Sequence, residues 1–174
     1  MTPSRINSLA CALGLLISGS AWALSTDRNQ PLQIDADQAD IDQQSGVSTY
    51  RGNVRLARGS MLLVADEVVV KQEGGIVHLV TASGSPANYR QRSDKQQDIR
   101  ASALRMEYHL DNGQLLLINR AELHQDANAF ASERIVYDSF ADRVNAGANA
   151  TSPQDRVHIT IQPGTPPGDA KAPQ

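Results

Sequence analysis

Leu104-Arg105-Met106-Glu107-Tyr108-His109-Leu110, then Asp111-Asn112-Gly113, then Gln114-Leu115-Leu116-Leu117-Ile118, is the stretch that decides the fold class. Leu104, Met106, Tyr108 and Leu110 alternate with Arg105, Glu107 and His109, a period of two that puts apolar side chains on one face of a strand. Asp111-Asn112-Gly113 then reads as a hairpin turn with Asn-Gly at its centre. The returning run holds Leu115, Leu117, Asn119, Ala121 and Leu123 in one parity, while Leu116 and Ile118 make its other face apolar too. Ala101 to Leu110 taken alone also fits a helix, and the turn after it selects the strand.

The same pattern spreads outward from this hairpin. Val157, Ile159 and Ile161 alternate with His158, Thr160 and Gln162. Ile34-Asp35-Ala36-Asp37 reappears as Leu63-Val64-Ala65-Asp66, as Ile99-Arg100-Ala101-Ser102 and, weakly, as Ala129-Phe130-Ala131-Ser132, with the alanines 29, 36 and 30 residues apart. A strand and a turn follow each copy, the turns falling at Ser45-Gly46, Gly74-Gly75, Asn112-Gly113 and Ala141-Asp142. A repeat of about 30 residues built from short strands buries its apolar face only by stacking. Folded over, the stack is an all-β jelly roll or elongated sandwich of two antiparallel sheets with apolar faces inward.

The inward positions Leu32, Ile34, Ala36, Val54, Leu56, Leu63 and Ala65 are aliphatic and mid-sized. They predict an interior that stays partly open as an apolar groove, against the plainer reading of a filled core. Both ends of the stack look uncapped. Pro31 opens the first strand, a position proline tolerates at a sheet edge. Leu32, Gln33 and Ile34 at one end, and Val157, Ile159 and Ile161 at the other, are therefore the candidate edges for strand addition by a partner.

Residues 1–23 read as a cleaved secretion signal: Arg5, an apolar core from Leu9 to Ile17, and Ala21-Trp22-Ala23 before the cut. That core is about half of the ~20 residues that span a bilayer, so a membrane anchor is not expected. Cys11 lies inside it, too early for a lipidation site. The remaining 151 residues suit one domain, 24–162, and contain neither the single cysteine nor the single tryptophan. A disulfide and a cysteine-held metal are thereby excluded in the oxidising compartment to which the signal leads. The tail, 163–174, has four prolines and no apolar side chain larger than alanine, a composition expected to be disordered.

Chemistry is sparse. Arg5 leaves with the signal, so 15 basic residues face 19 acidic ones, which argues against a nucleic-acid partner. Gly84-Ser85-Pro86 lacks the frame of a nucleophile elbow, and it suits a strand bend. His78, His109, His124 and His158 form no metal-ligand pair and read as solvent-facing strand residues, so neither metal nor cofactor is expected. Asp35, Asp37, Asp40 and Asp42 lack the glycine and distal glutamate of a calcium loop and read as a solvated acidic face. Asn149-Ala150-Thr151 matches a glycosylation sequon, a pattern common by chance. Arg51, Arg55 and Arg58 flank a strand pair, while Arg90, Arg92 and Lys95 fall in a polar stretch read as loop; phosphates at a groove mouth and plain solubilising charge both explain them.

Taken in order, several segments resemble the LptA (OstA-like) family of periplasmic lipopolysaccharide-transport bridges. The match runs through Gln30-Pro31-Leu32-Gln33-Ile34-Asp35-Ala36-Asp37, Tyr50-Arg51-Gly52-Asn53-Val54-Arg55-Leu56 and Ala65-Asp66-Glu67-Val68-Val69-Val70. It continues in Gly84-Ser85-Pro86-Ala87, Leu117-Ile118-Asn119-Arg120-Ala121 and Val157-His158-Ile159-Thr160-Ile161-Gln162-Pro163. The resemblance implies a twisted β-jelly roll of about sixteen short strands, open along one side as a groove. It implies that lipopolysaccharide passes from a membrane-anchored LptC-like protein to an LptD-like outer-membrane protein through units joined head to tail by their edge strands. The lipid A acyl chains then lie inside and the sugars outside. It places lipid contacts on Leu32 and Ile34, with Tyr89, Tyr108 and Leu110 deeper. Ala36, Val54, Leu56, Leu63, Met106 and Leu117 complete the expected lining. Tyr89 stands where the family usually has phenylalanine, and Asn119-Arg120-Ala121 replaces a Gly-Asn-Ala turn, so the register there is open. The competing expectations are a structural scaffold with a closed, dry core and a carbohydrate-processing enzyme, which would need two carboxylates about 5–10 Å apart across a cleft.

Overall fold

Alternation along the chain is realised as ten strands: β1 (Gln33–Asp35), β2 (Gln38–Asp42), β3 (Val47–Arg58), β4 (Met61–Glu73), β5 (Ile76–Arg92), β6 (Asp98–His109), β7 (Gln114–Gln125), β8 (Asn128–Asp138), β9 (Arg143–Ala146) and β10 (His158–Thr160). The computed structural model describes Asp27, residues 30–147 and residues 156–163. The expected signal at 1–23, the Asn149 sequon and, apart from Pro163, the tail lie outside the described residues.

All strands pair antiparallel in the order β1-β3-β4-β5-β6-β7-β8-β10, with β2 also on β3 and β9 also on β8. Each ladder from β3 to β8 breaks register midway: at Arg51/Val54, Val64/Glu67, Ser83/Ala87, Ser102/Arg105 and Ile118/Ala121. Bulges bend strands, and a row of them in neighbouring strands bends the whole sheet. The expected two sheets are thus two halves of one sheet. Each of β3 to β8 runs through both, so the ten strands supply sixteen short segments, eight in each layer.

The first half-sheet holds β1, the parts of β3 to β8 containing Leu56, Leu63, Tyr89, Ala101, Leu123 and Phe130, and β10. The second holds β2, the parts containing Tyr50, Val70, Val80, Tyr108, Leu115 and Tyr137, and β9. Left-handed backbone at Gly52 and Asn53 (φ 77° and 47°) and at Asn119 and Arg120 (φ 62° and 52°) marks the bend. Between β1 and β2 the chain makes the same turn: the Asp37 amide donates to the Gly52 carbonyl at 3.0 Å and Asn53 Nδ2 donates to Asp37 Oδ2 at 2.8 Å. A Cβ on Gly52 would sit 2.4 Å from that carboxylate oxygen, so only glycine allows the approach.

Several local expectations shift. The β6–β7 hairpin is a four-residue turn, 110–113, in which Gly113 alone takes left-handed backbone (φ 68°) and donates its amide to the His109 carbonyl. Leu104 falls in the bulge and leaves the inward row of Met106 and Tyr108. The weak fourth repeat copy is out of phase, because Phe130 pairs with the buried Leu123 and Ala131 faces outward with Glu122. Arg90 and Arg92 belong to β5, where they alternate outward from Tyr89 and Gln91, and only Lys95 is in the loop. The last strand is shorter than Val157–Gln162: β10 covers His158–Thr160, leaving Val157 and Ile161 just outside it.

Candidate functional site

The inner faces of the two half-sheets meet in one apolar interior. Val54, Leu56, Leu63, Tyr89, Met106 and Leu117 are all at most 2% exposed, and Tyr108 is 8% exposed. Leu32, Ile34 and Leu110 are half-buried against them. These expected lining residues therefore share one interior. Ala36 does not: it is exposed in the break between β1 and β2, where the backbone turns away from strand geometry.

The interior is also more aromatic than its sequence suggests. Tyr89 and Tyr108 come from neighbouring strands on different half-sheets, with ring centroids 6.2 Å apart and planes tilted by 53°. Tyr137 is 1% exposed. Burial is the main reason the Tyr89 and Tyr137 hydroxyls hold their protons well above the usual tyrosine range. The neighbouring rings Tyr108 and Tyr137 add to it for Tyr89, and the Asp142 carboxylate for Tyr137. Tyr137 and Met61 were legible as members of alternating rows (Ile135 and Tyr137; Met61, Leu63 and Ala65), but nothing in one strand tells which face is inward.

Bulges close one long side of the bent sheet; hairpin turns form the other. The inward rows become polar there. On one lip Val54 and Leu56 continue to Arg58, Ala87 and Tyr89 to Gln91, and Ala121 and Leu123 to Gln125. On the other, Ile135 and Tyr137 continue to Ser139, and Val80 and Ala82 lead back to His78. His78 is thus a rim residue rather than a solvent-facing one, and its Nδ1 lies 2.9 Å from Asp111 Oδ1. His109 is half-buried, whereas His124 and His158 are exposed as expected. All four repeat turns (Ser45-Gly46, Gly74-Gly75, Asn112-Gly113, Ala141-Asp142) line this second lip.

Between the lips lies a small hollow, open to solvent. Met61, Tyr108, Leu110 and Phe140 form its apolar side, and Asp27, Arg58, Gln91, Ser93, Asp94 and Ser139 its polar side. Asp27 is tied down by the Ser60 amide, which donates to Oδ1 at 3.0 Å, and by Gln91 Nε2, which donates to Oδ2 at 3.2 Å. Arg58 Nε donates to the Gln30 carbonyl at 3.3 Å. Among the expected basic residues, Arg58 reaches the mouth, Arg51 pairs on the outer face with Glu67 at 2.8 Å, and Arg55 is exposed. The polar rim thus overlies an apolar interior that its own side chains fill, Val54, Leu56, Leu117 and Leu123 being completely shielded from water.

Both ends of the trough are open. β1 and β2 pair only with β3, and β9 and β10 only with β8, among the described residues. The inward rows run out to these edges, leaving Ile41 56%, Ile159 54% and Ile161 72% exposed. Ile41 and Ile159 face inward because they pair with Ser48 and Phe130 of the interior rows.

Residues 33–143 match the model of the family described as LptA/(LptD N-terminal domain) LPS transport protein. The chain is 38% identical to the lipopolysaccharide export system protein LptH of Pseudomonas aeruginosa, with 91% of this chain and 95% of that protein aligned. It is 32% identical to the lipopolysaccharide export system protein LptA of Haemophilus influenzae, over 88% of this chain and 91% of that one. The crystal structure of LptH, described as the LptA homologous periplasmic component of the conserved lipopolysaccharide transport device from P. aeruginosa, superposes with a TM-score of 0.73 at 36% identity. That superposition covers 79% of this chain and 99% of the other. With this sequence similarity over nearly its whole length and the same bent β-sheet, the chain belongs to the LptA/LptD N-terminal-domain family of lipopolysaccharide transport proteins.

Proposed function

We propose that this chain is a periplasmic bridge for lipopolysaccharide, carrying it from the inner towards the outer membrane with its acyl chains in the apolar trough and its sugars at the polar rim. The observation that carries this reading is the inner face that runs uninterrupted to two open ends, where Ile41 and Ile159 stay exposed although they belong to the interior rows. Each acyl methylene shielded from water contributes roughly 0.8 kcal/mol, so a lined trough suffices and no covalent step is required. In this reading residues 1–23 are a cleaved signal, 24–162 the working domain and 163–174 a tail without fixed structure. Export delivers the protein to the periplasm.

The exposed edges define the partners in this reading. The β1/β2 edge and the β9/β10 edge each accept a strand from another molecule of the same architecture: a second copy head to tail, a membrane-anchored LptC-like protein, or the LptD-like outer-membrane component. A photo-crosslinker at Ile34 or Leu110 is expected to capture lipopolysaccharide, whereas one at Asp35 or Glu107 is not. Capture only at Asp35 and Glu107 would sink the proposal. Ile34→Asp separates the trough from a closed scaffold: lipid binding lost with the fold retained supports the trough, and outright unfolding supports the scaffold.

A further inference from the structure

The middle of the trough is filled by its own side chains: Leu56, Leu115, Leu117, Leu123 and Ile135 are completely shielded from water. An acyl chain seated there has to displace them, which means that the two half-sheets part along the side formed by the turns. What holds that side together is therefore decisive for loading.

Asp142 is placed to do this. It sits in the turn between β8 and β9, on the second half-sheet, in left-handed backbone (φ 50°). The Asp138 carboxylate shapes the turn by accepting the amides of Phe140 and Ala141 at 3.0 and 2.9 Å. Ser139 fastens it to the neighbouring hairpin, its Oγ donating to the Gly113 carbonyl at 2.8 Å. So held, Asp142 reaches across the mouth to the first half-sheet. Its Oδ2 receives Lys95 Nζ at 2.7 Å from the β5–β6 loop, and its Oδ1 receives Gln125 Nε2 at 2.8 Å from the end of β7. Gln125 also donates to Gln97 Oε1 at 2.9 Å. The Asp142 side chain is only 13% exposed, so both carboxylate oxygens depend on these bonds in place of water.

We propose that Asp142, with Lys95 and Gln125, is a clasp that keeps the β8–β9 end of the trough shut in the empty protein and is released each time an amphipathic lipid is seated or passed on. Asp142 is a positioning residue in this scheme, since it sets the separation of the lips and touches no acyl chain. The clasp is polar and lies at the rim, so water and a sugar headgroup compete for its bonds. Parting it exposes apolar lining that only a lipid then covers, which couples opening to loading. The inference rests on the lipid-carrying reading above.

The test uses the full mature chain and fluorescently labelled rough lipopolysaccharide. Lys95→Ala combined with Gln125→Ala is expected to load roughly five- to tenfold faster than the parent with unchanged capacity, since both bonds to the Asp142 carboxylate and the neutral bond from Gln125 to Gln97 are lost. In a second variant, Lys95→Cys with Asp142→Cys, a short reducible thiol crosslinker ties the lips, which is possible because the mature chain has no other cysteine. Loading is expected to stop in the tied form and to return on reduction, a reversal that misfolding does not give. Tied protein that loads at the parental rate, or a double-alanine variant that loads no faster, overturns the clasp while leaving the carrier reading intact. A parent protein that takes up no lipopolysaccharide overturns both.

Discussion

At the residue scale, two positions carry most of what can be measured on the interior. Leu117 is completely buried where β7 crosses the second half-sheet, and Leu117→Ala removes its methyl groups without letting the surrounding strands close in. The expected loss is about 2–5 kcal/mol, read as a lowered midpoint in urea with an unchanged slope. Tyr89 and Tyr137 carry raised hydroxyl pKa values because burial penalises the phenolate. In the unfolded chain both ionise near the ordinary value of 10.0. A group raised on folding contributes stability that is complete below its unfolded pKa and is lost as pH climbs through the folded one. Stability should therefore be flat up to about pH 10 and fall above it. Tyrosinate absorbance for these two rings is expected to appear together with loss of β-sheet circular dichroism. Ionisation of all tyrosines before any unfolding would contradict their burial.

At the scale of elements, the lips matter more than the strands. Gly113 ends the β6–β7 turn in left-handed backbone, and a Cβ there would lie 2.3 Å from the Phe140 ring. Gly113→Ala thus combines backbone strain of about 1–2 kcal/mol with expulsion of Phe140 from the mouth of the trough. The expected result is a lowered melting temperature and increased solvent quenching of a fluorophore placed at position 140. Repeat turns were legible in the sequence because glycine, asparagine and aspartate concentrate there. That all four lie on one lip was not legible, because it depends on which way each bent strand folds back. Lys95 and Asp142 are 47 residues apart and joined only by closure of the bent sheet; no local pattern marks either.

At the scale of the whole molecule, the two ends differ in charge as well as sharing an apolar inner row. Asp35, Asp40 and Asp42 face outward at the β1/β2 end, and Arg143 and His158 face outward at the β9/β10 end. If copies join head to tail, Asp40 and Asp42 meet Arg143 across the junction while Ile41 meets Val144 inside. Asp40→Lys with Asp42→Lys is expected to weaken self-association severalfold at low salt, and adding Arg143→Glu to restore it. Sedimentation at two ionic strengths reads both effects. Ile41→Asp is expected to abolish association with little change in melting temperature, because that side chain is already 56% exposed in the single chain. Unchanged association in all three variants would remove the ends from the assembly.

The sequence by itself determined the class: period-two alternation, turn residues between the runs, and no cysteine after Cys11 leave little besides a β-stack held by its own core. It also pointed to much of the buried interior, because Leu56, Leu63, Tyr89, Met106 and Leu117 lie in rows where one face must be buried. Only the tertiary structure decided that the two layers are one sheet bent along a line of bulges. It alone placed Ala36 outside the lining, His78 on the rim, and Asp142 against Lys95. The physical reason is the same in each case. Alternation is a local property that any single strand expresses. Register breaks and contacts across the mouth arise only when six long strands pair over their whole length, and pairing between distant residues leaves no period in the chain to read.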